Sequence, residues 1–324
     1  MSNLTQTFPA AVRYLRISLT DRCNLSCLYC RAGESGSAAE VLTPERVERF
    51  AGVLKEFGLR TVRLTGGEPL LRPDAVEFVR RIARRGLEVA LTTNGLLLEK
   101  YAAALKEAGL RRLNVSLDAL DPEKYAEISG GGDLRKVLKG IDAALRAGFE
   151  ELKLNAVAVK NFTEAEVDRL LEYAAVKGLH LRFVELMPVG RLPFFTEDRF
   201  LPLDRIKELI EKKYGRLEPL GRGGSGASED HFLPSLGVKV GFIRGVSKPF
   251  CAGCAKLRLT ADGRVRFCLR TDREFDVTPY LDSEEELRKI IPLLLEKKRL
   301  SNLLAERLEP TRFSESRTMI SIGG

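Results

Sequence analysis

Strand-like and helix-like segments alternate between residues 13 and 186, and this alternation limits the fold more than any other feature. Apolar spacing predicts strands over 13–19, 61–65, 88–93, 112–117, 151–159 and 181–186. Helical spacing lies between them, over 44–57, 74–85, 96–108, 134–147 and 164–176. "TPERVERF" and "TEAEVDRL" predict caps at Thr43 and Thr163, each followed by acidic residues in the first turn. Gly109 and Gly148 suit the left-handed position just past a helix end. Strands separated by helices pair in parallel through right-handed crossovers. Six units rather than eight predict an α/β fold, an incomplete (β/α)6 TIM-like barrel, with an open α/β sheet as the alternative.

The two strand faces differ. In the first strand Leu15, Ile17 and Leu19 oppose Arg16 and Ser18. In the fourth, Leu113, Val115 and Leu117 oppose Asn114, Ser116 and Asp118, and in the fifth Leu152 and Leu154 oppose Lys153 and Asn155. A strand covered by helices on both faces is apolar throughout. Here one face suits a helix layer and the other is polar and charged. Buried polar groups need partners, so the polar face predicts either a polar ligand inside a barrel or the solvated side of an open sheet.

The pattern changes after residue 190. A loop and one helix come first, then the Gly/Ser-rich "LGRGGSGASED", which reads as a connector or a lid. Short strands "VKVGFIRG" and "KLRLTADGRVRFCL" follow, with a hairpin signal at Ala261, Asp262 and Gly263. An amphipathic helix is expected over 283–297. The expected organisation is a core over 1–195 and an α+β extension over 196–324, with the edge between Met187 and Val238.

The 324 residues can bury a sizeable core. No apolar run is long enough to span a bilayer. The first residues lack the basic start and apolar block of a secretory signal, so a cytoplasmic, reducing compartment is expected. The net charge of +8 suits a polyanion or a solvated surface. No RNA-binding signature or long Lys/Arg block is present, so an anion is expected in a pocket and no nucleic acid as partner.

All six cysteines fall in two triplets. Cys23, Cys27 and Cys30 form C-x3-C-x2-C just past the first strand, and Cys251, Cys254 and Cys268 form C-x2-C-x13-C across the predicted hairpin. Thiolates favour iron–sulfur clusters and zinc alike. Zinc wants a fourth Cys or His, and the two histidines, His180 and His231, are remote in sequence. Three thiolates on a four-iron cluster leave one iron open to a small molecule, so two such sites outline an enzyme.

The C-x3-C-x2-C spacing with Tyr29 before the last cysteine resembles the radical S-adenosylmethionine (SAM) superfamily. The resemblance implies a 4Fe–4S cluster on Cys23, Cys27 and Cys30 whose open iron is chelated by SAM. It gives "TGGEP", with Gly66, Gly67 and Glu68, the SAM ammonium. Tyr29, Ser116, with Asp118 nearby, and Met187 complete its SAM set. Each of these alone would pass for ordinary strand-end capping, but all sit where α/β barrels build active sites.

The second triplet narrows the resemblance to the GTP 3′,8-cyclase family of molybdenum-cofactor biosynthesis. "LRISLTDRCN", "RLTGGEPLLR", "LTTNG", "NVSLDAL", "LRFVELMPVG" and the terminal "IGG" all fit it. The family implies a second 4Fe–4S cluster on Cys251, Cys254 and Cys268 that binds the guanine of GTP. It implies a GTP-contacting set of Arg16, Arg63, Thr92, Lys153, Arg182, Lys256, Leu257 and Arg258, with Arg258 also catalytic, and a Gly323-Gly324 tail reaching into the site. An ion pair is the plainer reading of Arg182, and a loose chain end that of the tail. The implied chemistry is a 5′-deoxyadenosyl radical that takes the ribose 3′ hydrogen of GTP, followed by attack on C8. The implied partners are an external electron donor and a downstream enzyme making cyclic pyranopterin monophosphate, with a homodimer as a candidate assembly.

Two positions depart from the family. Lys256-Leu257-Arg258 stands where Arg-x-Arg is usual, which keeps charge but loses one bidentate fork. Arg31-Ala32 stands where Met-Pro is common. Two rival readings remain on sequence alone: a peptide- or sulfatase-modifying radical SAM enzyme with an auxiliary cluster, and a non-catalytic metal-cluster regulator that binds nucleic acid.

Overall fold

The computed structural model describes residues 12–30, 41–190, 194–223, 227–249, 251, 253–309, 312–313 and 317–323. Arg31, Ala32 and Gly324 lie outside them. The chain runs β1 (Tyr14–Ser18), α1 (Pro44–Glu56), β2 (Thr61–Thr65), α2 (Ala75–Arg84), β3 (Glu88–Thr93), α3 (Leu98–Glu107), β4 (Leu110–Ser116), α4 (Pro122–Ser129), α5 (Leu134–Arg146), β5 (Glu151–Ala158), α6 (Val167–Lys177) and β6 (His180–Glu185). It continues through α7 (Leu203–Tyr214), β7 (Glu218–Gly223), β8 (Ser228–Leu233), β9 (Val238–Ile243), β10 (Lys256–Leu259), β11 (Arg264–Arg266), β12 (Glu274–Asp276) and α8 (Glu284–Glu306).

β1 to β6 pair in parallel, in sequence order, as a six-unit partial barrel. Among the described residues one sheet holds twelve strands, in the order β12-β11-β10-β1-β2-β3-β4-β5-β6-β9-β8-β7. The extension therefore adds to both edges of the core. β10 pairs in parallel with β1, with Arg16 beside Arg258, and β9 pairs in parallel with β6. The expected hairpin is β10–β11, with Leu259 opposite Val265.

The apolar strand face packs on the helices. Leu15, Ile17, Leu64, Leu91, Leu113, Leu154 and Leu181 share one core with Phe50, Phe78, Leu105, Ile141 and Leu170. At about 25 cal/mol per Å², this burial is the main stabilising force. A small satellite cluster joins Val189 and Val246 to Phe313 and Ile322, and so binds the chain's last segment to the end of β6.

Several local expectations are corrected. Thr43 caps α1, its Oγ1 accepting from the Arg46 N–H at 3.3 Å, but Thr163 does not cap α6. It lies in a buried 3₁₀ turn, where its Oγ1 accepts from the Val159 N–H at 2.9 Å. The cap position falls to Glu166, whose carboxylate instead receives the Leu120 and Asp121 N–H groups. The Gly/Ser-rich connector is a hairpin. β7 and β8 pair antiparallel, and residues 224–226 of its turn lie outside those described. Gly221, Gly223 and the register shift near Pro219 hide the alternation that would have marked β7, the edge strand of the pair. The final helix reaches Glu306, not residue 297.

Candidate active site

The first triplet lies in the loop after β1, with all three cysteines half-buried. Backbone bonds fix that loop on two sides. The Ser26 and Leu28 N–H groups donate to the Ser129 and Ile128 carbonyls, both at 3.0 Å, at the end of α4. On the other side the Gly67 and Glu68 N–H groups donate to the Thr20 and Arg22 carbonyls at 2.7 and 2.8 Å. This close approach is why glycine is needed there: a Cβ on Gly66 would sit 2.6 Å from the Thr20 oxygen, and one on Gly67 would overlap the Arg22 carbonyl.

Glu68 is buried where the second and third strands end. Its carboxylate accepts from Thr93 Oγ1 at 2.7 Å, the Asn94 N–H at 2.8 Å and the Leu70 N–H at 3.1 Å. Burial outweighs these bonds and pushes its carboxyl up to about 7. Asn94 continues the chain of contacts, its Nδ2 reaching Asn24 Oδ1 at 2.8 Å and Cys23 Sγ at 3.8 Å. The "TGGEP" and "LTTNG" segments thus meet at the first triplet. Tyr29 donates its hydroxyl to Asp118 Oδ2 at 2.5 Å, and Asp118 Oδ1 accepts from the Val157 N–H at 2.8 Å. Ser116 ends β4 half-buried, beside Asn155 of β5.

The polar face of the sheet gathers cations. Arg258, Arg16 and Arg63 stand side by side on β10, β1 and β2. Like charges directly opposite one another destabilise a sheet, so such a row fits a site for a polyanion. Arg63 donates Nε to the Tyr14 hydroxyl and NH1 to Thr92 Oγ1 at 3.2 Å. Tyr14 also carries Lys256 Nζ 5.9 Å from its ring centroid. Arg182 donates to Asn155 Oδ1 at 3.0 Å, and Lys153 pairs with Glu151 at 2.7 Å. Burial, then neighbouring charges, pulls Arg16 and Arg182 below the ordinary guanidinium range. Arg258 NH1 is buried without a hydrogen-bond partner, an orphaned donor in a cationic pocket. Leu257 alone turns away. Strand alternation puts its side chain in the core, fully buried.

The tail enters this face. Arg16 Nε and Thr65 Oγ1 donate to the Gly323 carbonyl at 2.7 and 3.1 Å. Arg317 anchors the tail by pairing with Asp262 at 2.7 Å and Glu274 at 2.8 Å.

The second triplet lines a cavity with Arg258, Lys256, Phe267, Arg270, Asn302 and Met187. The sequence grouped Met187 with the first triplet, whereas here it also lines the second triplet's cavity. Arg270 and Lys298, which sequence reasoning missed, contact the sulfurs: Arg270 NH1 lies 3.7 Å from Cys251 Sγ, and Lys298 Nζ 3.5 Å from Cys254 Sγ. Asn94, Thr65 and Tyr14 were also missed, although each sits inside or next to a segment already singled out.

Both triplets suit iron–sulfur clusters. Burial, then the charges of Asp118, Cys30 and Cys23, pushes the Cys27 thiol up, so these three thiols share one site. Cys268 is likewise raised by burial, with Cys251 and Cys254 adding to the effect. Backbone N–H groups point at the sulfurs, from Leu25 to Cys23 and from Arg270 to Cys268, both at 3.4 Å. Such bonds are a usual feature of cluster ligation.

Comparison with known proteins agrees with this geometry. The model described as Radical SAM superfamily matches residues 17–174, and that described as Molybdenum Cofactor Synthesis C matches 179–303. In fold, the chain is similar to Streptococcus suis SuiB bound to S-adenosylmethionine, at 15% identity, with a TM-score of 0.62 over 96% of this chain and 77% of that one. It is also similar to methylornithine synthase (PylB), at 20% identity, with a TM-score of 0.51 over 72% of each chain. The chain is a radical SAM protein with two cluster sites. It is 40% identical to the GTP 3′,8-cyclase of Pelotomaculum thermopropionicum over 99% of this chain and 100% of that one. It is 37% identical to the GTP 3′,8-cyclase of Listeria monocytogenes over the whole of both. The chain belongs to the GTP 3′,8-cyclase family.

Proposed function

We infer that the protein converts GTP to 3′,8-cyclo-7,8-dihydro-GTP in molybdopterin biosynthesis, as a radical SAM lyase. The observation that carries this reading is a row of three arginines whose Arg258 lines the second triplet's cavity and whose Arg16 lies on the strand that leads into the first triplet's loop, in a chain 40% identical to a GTP 3′,8-cyclase. With SAM bound, the N-terminal cluster supplies a 5′-deoxyadenosyl radical.

The chain's own residues bind, orient and exclude water. Glu68 offers a carboxylate to the SAM ammonium, with its other lone pairs held by Thr93, Asn94 and Leu70. Tyr29 and Asp118 brace the last turn of the cysteine loop, and Ser116 and Met187 border the remaining SAM contacts. Arg16, Arg63, Lys153, Arg182, Lys256 and Arg258 receive the triphosphate, and Arg258 NH1 supplies a donor that no protein group occupies. Thr92 orients Arg63, and the backbone of Leu257 carries its two cationic neighbours to the polar face. Gly323 covers the Arg16 side and sheds water from the reacting ribose.

We place the enzyme in the cytoplasm. Among the described residues no helix is long and apolar enough to cross a membrane. An external one-electron donor serves the first cluster, and a downstream enzyme takes the cyclic product to cyclic pyranopterin monophosphate. A homodimer is the assembly to check by light scattering.

The test is anaerobic reconstitution followed by iron and sulfide counting, which should give about eight irons per chain. Incubation with SAM, dithionite and GTP should then yield 5′-deoxyadenosine and the cyclic triphosphate. SAM cleavage that does not respond to GTP in a fully loaded protein would sink the assignment.

A further inference from the structure

The buried stripe of α8 changes chemistry halfway along. Leu287, Ile291, Leu294 and Leu295 fill its first half, and Lys298, Ser301 and Asn302 continue it. A lysine taken out of water is strongly destabilising unless an anion or strong acceptors replace its hydration. Lys298 is 1% exposed. Its Nζ donates to the Phe267 carbonyl at 2.6 Å and to Cys254 Sγ at 3.5 Å. A carbonyl satisfies one donor but leaves the charge, which a thiolate neutralises. One turn on, Asn302 Nδ2 donates to the Cys254 carbonyl at 3.0 Å.

Arg270 completes the cradle. It is 6% exposed, and its guanidinium is held by the Ala305 and Leu308 carbonyls at 2.9 and 3.0 Å, near the end of α8. From there NH1 reaches Cys251 Sγ at 3.7 Å, while its backbone N–H donates to Cys268 Sγ at 3.4 Å. Each sulfur of the second triplet thus meets a donor from Lys298 or Arg270. The first triplet differs, since a buried carboxylate, Asp118, acts on Cys27 there.

We propose that Lys298 is a positioning residue of the second cluster, a fixed buried cation that orients the Cys254 sulfur and, with Arg270, raises that cluster's reduction potential. This rests on the reading that the second triplet carries a cluster. Reduction adds an electron, and a cation close by in a dry environment favours the reduced form.

The test uses full-length protein, reconstituted anaerobically, as wild type and as Lys298→Met, Lys298→Gln and Lys298→Arg. Iron counting is followed by redox titration monitored by electron paramagnetic resonance. Cys268→Ala and Cys30→Ala chains assign the two signals. The neutral variants should move the second cluster's midpoint to more negative potential and leave the first in place, with Lys298→Arg restoring it. Selective loss of the second cluster in the neutral variants, regained with arginine, also meets the expectation. Two clusters at unchanged potentials in both neutral variants would overturn the proposal. So would loss of both clusters together, or a failure of arginine to rescue, because Lys298 would then only pack the helix. A wild-type chain with one cluster would overturn the cofactor reading itself, and this proposal with it.

Discussion

Arg16 Nε donates to the Gly323 carbonyl at 2.7 Å, across 307 positions of sequence, so the first strand and the chain's last turn share one hydrogen bond inside the cationic face. Gly323 adopts φ +86°, and a Cβ there would sit 2.8 Å from Thr65 Cγ2 and 3.1 Å from Ser18 Cβ. Gly323→Ala should therefore expel the tail without disturbing the core. Cyclic product formation should fall on the order of tenfold or more, since small misplacements near reacting atoms are costly. SAM affinity should hold. Steady-state rates beside calorimetric SAM titration check this, and unchanged rates would remove the tail from the site's function.

Glu68 gives a pH dependence. Burial raises its carboxyl to about 7, so it is mostly ionised at pH 8 and mostly protonated at pH 6. Since the SAM ammonium needs the carboxylate, affinity should weaken by about tenfold between those values as the pH falls. Glu68→Gln should bind weakly and without that slope. The same group acts on stability with a definite sign. Its folded value is raised above the unfolded one, so its contribution is fully present below about 4.5 and lost as the pH rises through about 7. Thermal melts of the cluster-free protein at pH 8 should show Glu68→Gln as the more stable form.

Gly67 separates loop geometry from ligand chemistry. Any side chain there overlaps the Arg22 carbonyl, next to Cys23. Gly67→Ala keeps all six cysteines but displaces the first triplet. Iron content should drop from about eight to about four per chain, with the second cluster's spectrum retained. A full complement of iron would show that the loop shifts without penalty.

Lys256 sits 5.9 Å from the Tyr14 ring centroid. Lys256→Arg adds a planar fork that grips phosphate through two donors. The KM for GTP should fall a few-fold in that variant and rise by about tenfold in Lys256→Ala, with SAM cleavage at saturating GTP alike in both. Steady-state GTP titrations decide it, and equal KM values in all three proteins would take Lys256 away from the triphosphate.

The six-strand core was legible because each strand alternates one apolar face with one polar face, and Arg16 and Lys153 fall on the polar side. Less legible was whatever depended on partners far away in sequence. α4 is short and leaves only a brief apolar pattern at Tyr125 and Ile128. β7 is an edge strand with two glycines, and β8 beside it opens on Ser228, Glu229, Asp230 and His231, so neither alternates cleanly. The expected end of the last helix at residue 297 fell one position before Lys298, because a lysine on the buried stripe looks like the end of apolar periodicity. The helix goes on because sulfur, not hydrocarbon, faces it there. Thr163 misled for a related reason: the cap signature is local, but the Val157 and Val159 backbone competed for its hydroxyl.

The order of strands in the sheet also sets an order in time. Synthesis delivers β1 to β6 first, yet the outer rim of β1 meets no partner until Lys256 arrives opposite Tyr14, and the rim of β6 waits for Val240 opposite Leu181. Until then both rims present unpaired N–H and C=O groups, the kind of template on which growing chains associate wrongly. Because the late segment seals the rim of β6 with β9 and then that of β1 with β10, a nascent chain stalled before it is exposed at two places. Quality control should act on such a half-made product, not on the finished molecule.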